Sequence, residues 1–363
     1  MFVRSLASNT IVEDLWLDGA SIELDIALSL ACALRVNKTL RILKLRNTTL
    51  VGSGASSVFR ALVETDTLEE LHLDGNSLGP YPMKVLASTL RRNRSLKVLH
   101  ISQNPIGTQG CTMLAEALRT NTALKDFCLQ EANIDKASAD SFGRMMLRNK
   151  TLRNLMLVET AMPSDGLSDL CKYLEHNKTL EQLVIAGSQI DTDAARAIAS
   201  MLQRTKALRR LCLCGNGLNS EGMRIISEGL ANNTTLALLR VVVNHIGNKG
   251  ARAFARAAIG HPHLREVDLS RNGIKESGGR ALARCLEKNT SIDTMTLYGN
   301  NIEQEEKDRI DAFAAMNKAG RRLIREVSLT GTQWSNLLSG ISHDTNIAYS
   351  FIRERPDLLR ATS

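Results

Sequence analysis

Apolar residues recur along this chain in a fixed triplet: one residue, a second three positions on, and a third five positions on. The series runs Val12-Leu15-Leu17, Leu40-Leu43-Leu45, Leu68-Leu71-Leu73, Leu96-Leu99-Ile101, Leu124-Phe127-Leu129 and Leu152-Leu155-Leu157. It continues with Leu180-Leu183-Ile185, Leu208-Leu211-Leu213, Leu236-Leu239-Val241, Leu264-Val267-Leu269 and Ile292-Met295-Leu297, every step being 28 residues. A twelfth triplet, Ile324-Val327-Leu329, follows after a step of 32, which marks the end of the array. Two periods alternate inside each unit. The last two triplet members have one residue between them, as in a short strand with one buried face. The second half of the unit carries apolar residues at helical spacing, as in Met113, Leu114, Ala117 and Leu118. One such strand and helix cannot bury its apolar side alone, so unit must stack on unit, with Leu15, Leu43, Leu71 and their successors in one shared core. The predicted fold class is α/β: a right-handed solenoid of about twelve units, with a parallel sheet and an outer row of helices. Helices are wider than the strand spacing of about 4.8 Å, which predicts that the sheet lines the concave side.

The polar punctuation keeps the same period. Gly54, Gly110, Gly166, Gly222, Gly250 and Gly278 share one phase, where a helix is expected to start close against the sheet. Asn9, Asn37, Asn93, Asn121, Asn149, Asn177, Asn233 and Asn289 share another, at the helix exit. Asparagine tolerates the left-handed conformation, so these are read as C-terminal caps. Several stand in Asn-x-Ser/Thr triplets, but the capping role accounts for their phase and no secretory signal pattern opens the sequence. A third phase carries asparagine at 76, 104, 216, 244, 272 and 300, replaced by Ala20, Thr48, Ala132, Thr160, Ser188 and Thr332. The three successive replacements from Ala132 to Ser188 predict looser turns in the middle of the array.

The run Leu96-x-x-Leu99-x-Ile101-x-x-Asn104-x-Ile106-Gly107-x-x-Gly110, followed by Leu114-Ala115-Glu116-Ala117-Leu118 and Asn121, resembles the ribonuclease-inhibitor-like class of leucine-rich repeats. That class also supplies the sensor arrays of NOD-like receptors and the Ran GTPase-activating proteins. The resemblance extends over residues 1–332 and implies a horseshoe whose usual occupation is protein binding. In that class the asparagine of the third phase bonds backbone groups of its own turn and of the neighbouring units. The expected organisation is a solenoid over 1–332, comprising an N-terminal half-helix lid at 1–11, regular repeats over 12–323 and a last strand at 324–332. A helical cap over 333–363 follows, suggested by Trp334, Leu337, Leu338, Ile341, Ile347, Tyr349, Phe351 and Ile352. The sequence opens inside a repeat, so residues 1–11 are read either as a lid or as the start of an excerpt from something longer.

A hydrophobic content of 43% suffices for such a core, and only 4% aromatics suits layers of leucine and alanine. No apolar run approaches the roughly 18 residues of a spanning helix, so no membrane association is expected. Seven cysteines at irregular places form no disulfide framework, which points to a reducing compartment, the cytoplasm or the nucleus. The net charge of +8 is uneven: residues 203–288 hold 15 basic against 6 acidic side chains, while 1–90 hold 8 against 10. That basic lobe could attract nucleic acid, but no aromatic stacking platform accompanies it, so this reading ranks third.

Two rows of side chains should project from the concave face. The first comprises Trp16, Lys44, His72, His100, Cys128, Met156, Val184, Cys212, Arg240, Asp268, Thr296 and Ser328; the second, two residues on, runs from Asp18, Arg46 and Asp74 through Val158, Ala186, Cys214 and Val242 to Tyr298 and Thr330. Met156, Val158, Val184, Ala186, Cys212, Cys214 and Val242 would form an apolar patch rimmed by charge, the usual mark of a docking surface. Partner-binding candidates are Trp16, Lys44, His72, His100, Met156, Val158, Val184, Cys212, Cys214, Arg240, Val242, Asp268 and Tyr298. His72 and His100 should be neighbours, but Cys128 stands about two strand spacings from His72, too wide for one ion, so no metal site is expected. Cys212-Leu213-Cys214 is a C-x-C and is read as a pair of free thiols. No phosphate loop and no Ser-His-Asp spacing stand out, so neither a cofactor nor catalysis is expected. The leading reading is a monomeric, non-catalytic scaffold that binds a protein through its concave face. The alternative is a GTPase-activating protein of the Ran type acting in trans, against which the last 31 residues lack that branch's long acidic tract.

Overall fold

A computed structural model, which describes residues 5–321, turns each triplet into a strand and each second half into a helix. The chain forms two compact units that divide between Leu208 and Arg209. In the first unit the strands are β1 (Asp14–Trp16), β2 (Ile42–Lys44), β3 (Glu70–His72), β4 (Val98–His100), β5 (Asp126–Gln130), β6 (Asn154–Val158) and β7 (Gln182–Ala186). Each is followed by its helix: α1 (Leu24–Val36), α2 (Gly52–Ala61), α3 (Pro80–Leu90), α4 (Gly107–Leu118), α5 (Lys136–Arg148), α6 (Ser164–Leu174) and α7 (Thr192–Arg204). The second unit holds β8 (Arg210–Cys212), β9 (Leu238–Arg240), β10 (Glu266–Asp268) and β11 (Thr294–Thr296), with α8 (Ser220–Ala231), α9 (Gly247–Ala258), α10 (Glu276–Lys288) and α11 (Gln304–Lys318). Within each unit consecutive strands pair in parallel with triplet members in register, Leu15 beside Leu43, Leu43 beside Leu71, and Leu211 beside Leu239. These residues are buried, and they form the leucine spine that stacking requires. The twelfth triplet, Ser328, Thr330, Thr332 and the expected cap over 333–363 lie outside the described residues.

At the start of the array Ser5 is helical and Leu6–Ser8 forms a 3-10 turn, with Leu6 buried and its carbonyl accepting a hydrogen bond from the Asn37 amide at 2.7 Å; residues 1–4 of the expected lid lie outside the described residues.

The helix-exit asparagines are not left-handed caps. Asn37, Asn149 and Asn289 have φ of −66°, −67° and −73° with extended ψ. What holds the residue at this phase is the reach of its side chain. Asn149 donates from Nδ2 to Leu118 O, 31 residues earlier, at 2.7 Å, while its Oδ1 accepts from the N–H groups of Thr151 and Leu152 at 2.8 and 2.7 Å. One buried amide thus closes its own loop and satisfies a terminal helix carbonyl of the preceding repeat. The left-handed residues stand at the strand exit instead, once per unit at 19, 47, 75, 103, 131, 159, 187, 215, 243, 271 and 299. Glycine fills five of those places, and Asn47, Gln103, Glu131, Glu159, Val243 and Arg271 fill the others. The glycines of the helix-start phase meet a neighbouring helix rather than the sheet. A Cβ at Gly250 would stand 2.8 Å from Ile246 Cβ and 3.2 Å from Met223 Cβ on α8.

The ladder asparagines act as the resemblance implies. Asn76 donates to Leu45 O and Leu73 O at 2.7 and 2.9 Å and accepts from Thr48 N–H at 3.1 Å. Where Ala132, Thr160 and Ser188 replace the amide, β5, β6 and β7 run for five residues instead of three. With no amide drawing carbonyls into the turn, the backbone continues to pair, and Ile134 N–H bonds Thr160 O at 2.9 Å. The Thr160 hydroxyl is buried with no hydrogen-bond partner, so threonine does not restore what asparagine supplied.

Candidate functional site

The strand registers place the first predicted row side by side. In the first unit it runs Trp16, Lys44, His72, His100, Cys128, Met156, Val184, and in the second Cys212, Arg240, Asp268, Thr296. Alternation along each strand sends the triplet leucines inward and these residues to the other face. The predicted apolar patch is divided between the units. Met156, Val158, Val184 and Ala186 are half-buried neighbours on β6 and β7, whereas Cys212, Cys214 and Val242 belong to the second unit.

At the start of the first unit the row is strongly polar. The Lys44 ammonium lies 3.6 Å from the centre of the Trp16 ring, which is itself 64% exposed. Arg46 is the hub of the next cluster. Its guanidinium donates to Asp74 Oδ2 at 3.2 Å, faces His72 Nδ1 at 2.9 Å and lies 3.8 Å from Asp18. The His72 and His100 rings meet edge to face with centres 4.5 Å apart. Burial pushes both imidazoles below their ordinary pKa, His72 further through the neighbouring His100 and Arg46 charges, whereas Asp74 opposes the shift at His100. Asp74 Oδ1 also accepts from Ser102 N–H at 2.8 Å, which fixes the carboxylate.

His72 is only 5% exposed, flanked by Arg46 and His100, so it presents little surface of its own beside the other residues of the row. Arg46, Asp74 and Asp18, absent from the predicted site, are what organise it. Their signal was present: aspartate, arginine and aspartate alternate in sign at successive 28-residue steps, so stacking must bring them together.

In the second unit Arg240 pairs with Glu266 across adjacent strands, and Asp268 Oδ1 accepts from the Ser270 backbone N–H at 3.0 Å. The Cys212 and Cys214 sulfurs are 3.2 Å apart. The hydrogen bond between them, with help from the Val242 backbone and Arg240, lowers the Cys214 pKa to about 7, while the same hydrogen bond together with burial raises that of Cys212. Tyr298 is 71% exposed, with the Arg271 guanidinium 5.7 Å from its ring centre. A groove of about 700 Å³ opens beside it between β11 and α11, floored by Met295, Leu297, Ile310 and Ala314.

The helical side of the second unit carries a separate feature. Arg252 and Arg256 on α9 and Arg284 and Lys288 on α10 line one groove of about 490 Å³ together with Ile259 and Glu287. Arg252 donates to Ser277 Oγ at 3.3 Å, and none of these four cations is within salt-bridge distance of a carboxylate among the described residues.

The family model described as Leucine Rich repeat matches this chain at residues 92–115, 232–255 and 260–283, three segments in the same phase of the period. No curated protein matches it. Among solved structures, that titled Leiomodin-1 Actin-Binding Site 2 matches with 13% identity over 56% of this chain and 86% of that one, at a TM-score of 0.28. At that score the fold rests on the repeats themselves. The chain is a leucine-rich repeat protein, and no described helix is long and apolar enough to cross a membrane.

Proposed function

We propose that this protein is a non-catalytic scaffold that binds a protein partner through the open face of its parallel sheet. The observation that carries the reading is the outward row of the first unit, where exposed Trp16 and half-buried Met156, Val158 and Val184 stand in register with no described segment packed over them. Aromatic anchors and a contiguous apolar strip bordered by charge are what a docking surface offers. All seven cysteines are free, which suits a reducing compartment such as the cytoplasm. Affinity capture with the native chain and with Met156→Glu plus Val184→Glu tests the reading: the double variant is expected to lose the partner, and equal recovery would remove the surface from consideration. A turnover assay with small GTPases is expected to show no acceleration, and acceleration would move the assignment to the trans-acting activator.

A second reading is favoured by the groove between α9 and α10. Four cations with no carboxylate partner among the described residues, at i and i+4 on adjacent helices, could track a phosphate backbone. Retention of single- or double-stranded nucleic acid by the native chain, lost in Arg256→Ala plus Arg284→Ala, would establish it.

A further inference from the structure

We propose that His72, Asp74 and His100 form a site for a divalent transition-metal ion of the zinc type, for which the Arg46 guanidinium is the built-in competitor. The placement follows from the fold. His72 ends β3 and Asp74 follows it two residues on, joined to it through Arg46, and His100 is the register partner of His72 on β4. One ligand atom from each of the three lies within 4.8 Å of the others. Two imidazoles and one carboxylate are a common donor set for zinc, which takes three protein ligands and leaves a fourth position open. Cys128, on the next strand, is not needed.

Two observations beyond the grouping fit a cation held at His72 Nδ1. The His72 side chain is more than nine-tenths buried and its Nε2 has no hydrogen-bond partner, with Glu70 3.6 Å away, so a ligating Nδ1 would leave the ring N–H directed at a carboxylate, as metal-bound histidines usually do. The cluster also already attracts a positive group: Arg46 spans His72 Nδ1 and Asp74 Oδ2. Asp18, Glu70 and Asp74 surround the site, with Arg46 and Lys44 the nearby cations on the neighbouring strand. A metal ion would displace the guanidinium from His72 and Asp74, and Arg46, whose side chain is 34% exposed, would keep Asp18 as its partner.

The competition gives the test its sign. Zinc is titrated into the full chain by calorimetry in a chelator-buffered solution, with circular dichroism to show that each variant is folded. One equivalent is expected to bind. His100→Ala and the conservative Asp74→Asn should weaken binding by at least about tenfold. Arg46→Met should strengthen it severalfold. Cys212→Ser plus Cys214→Ser should leave it unchanged, which separates this site from the thiols. Binding that survives in His100→Ala and Asp74→Asn, that weakens in Arg46→Met, or that is absent from the native chain would overturn the proposal.

Discussion

His261 stands where eight other units carry asparagine, and it reproduces half of the asparagine's work. Its Nδ1 accepts from His263 and Leu264 N–H at 3.3 and 2.9 Å, but its buried Nε2 has no partner, so the donor that would reach back to the preceding repeat is missing. Burial lowers its pKa to about 4. The neutral ring is the native form, and the unfolded chain, with an ordinary value of about 6.5, takes up a proton first as pH falls. Stability contributed by this residue is therefore present above about pH 6.5 and is lost on descending towards pH 4, by up to about 3 kcal/mol. His261→Asn should flatten that loss and stabilise the fold at pH 5, read by urea denaturation at both pH values. Val243 is a β-branched residue at φ 53° and half exposed, a strained position for little burial. Val243→Gly is expected to raise stability by about 1 kcal/mol in the same measurement. Among the thiols, Cys111, Cys171 and Cys285 are pushed up to about 12 by burial, while Cys214 is lowered to about 7. Limited alkylation at pH 7, mapped by mass spectrometry, should label Cys214 before those three.

At the scale of the elements, strands and helices were legible because stacking imposes one period on both. The inward apolar positions repeat without exception, and Leu99→Ala, at a fully buried position, should cost about 2–5 kcal/mol. The turns were less legible for identifiable reasons. Arg271 and Glu159 adopt left-handed φ with no compositional cue, because the neighbouring unit's backbone dictates the bend. The helix-exit asparagines were correctly placed and wrongly explained, since a partner 31 residues away leaves no mark within a local window. The outward rows were readable as rows, but burial within them was not: His72 is covered because Arg46 turns towards it, and that depends on side-chain direction rather than spacing. The longer β5 to β7 carry the turns without ladder asparagine, and hydrogen exchange is expected to be faster at their turn amides than beside Asn76 and Asn272. Equal protection would show that the extra strand pairing compensates fully.

Across the whole molecule the uneven charge offers a way to separate the two binding readings. A partner held by Met156 and Val184 should dissociate almost independently of salt, because apolar burial is not screened. Nucleic acid held by four cations on α9 and α10 should lose affinity steeply, with a slope of about −4 in log–log coordinates for duplex DNA. The asparagine bracket also sets a rule for changes in length. Excising residues 93–120 would place Asn121 where Asn93 stood, and its amide would find Leu62 O, the acceptor that Asn93 uses at 2.6 Å. Removing one residue fewer would strand that amide and turn every following side chain to the wrong face. Between the first and the eleventh triplet the gene can therefore grow or shrink by unequal crossing-over in whole quanta of 28 codons with every bracket intact, whereas an indel of another length inside a strand or its turn is a frameshift of the architecture even when the reading frame survives.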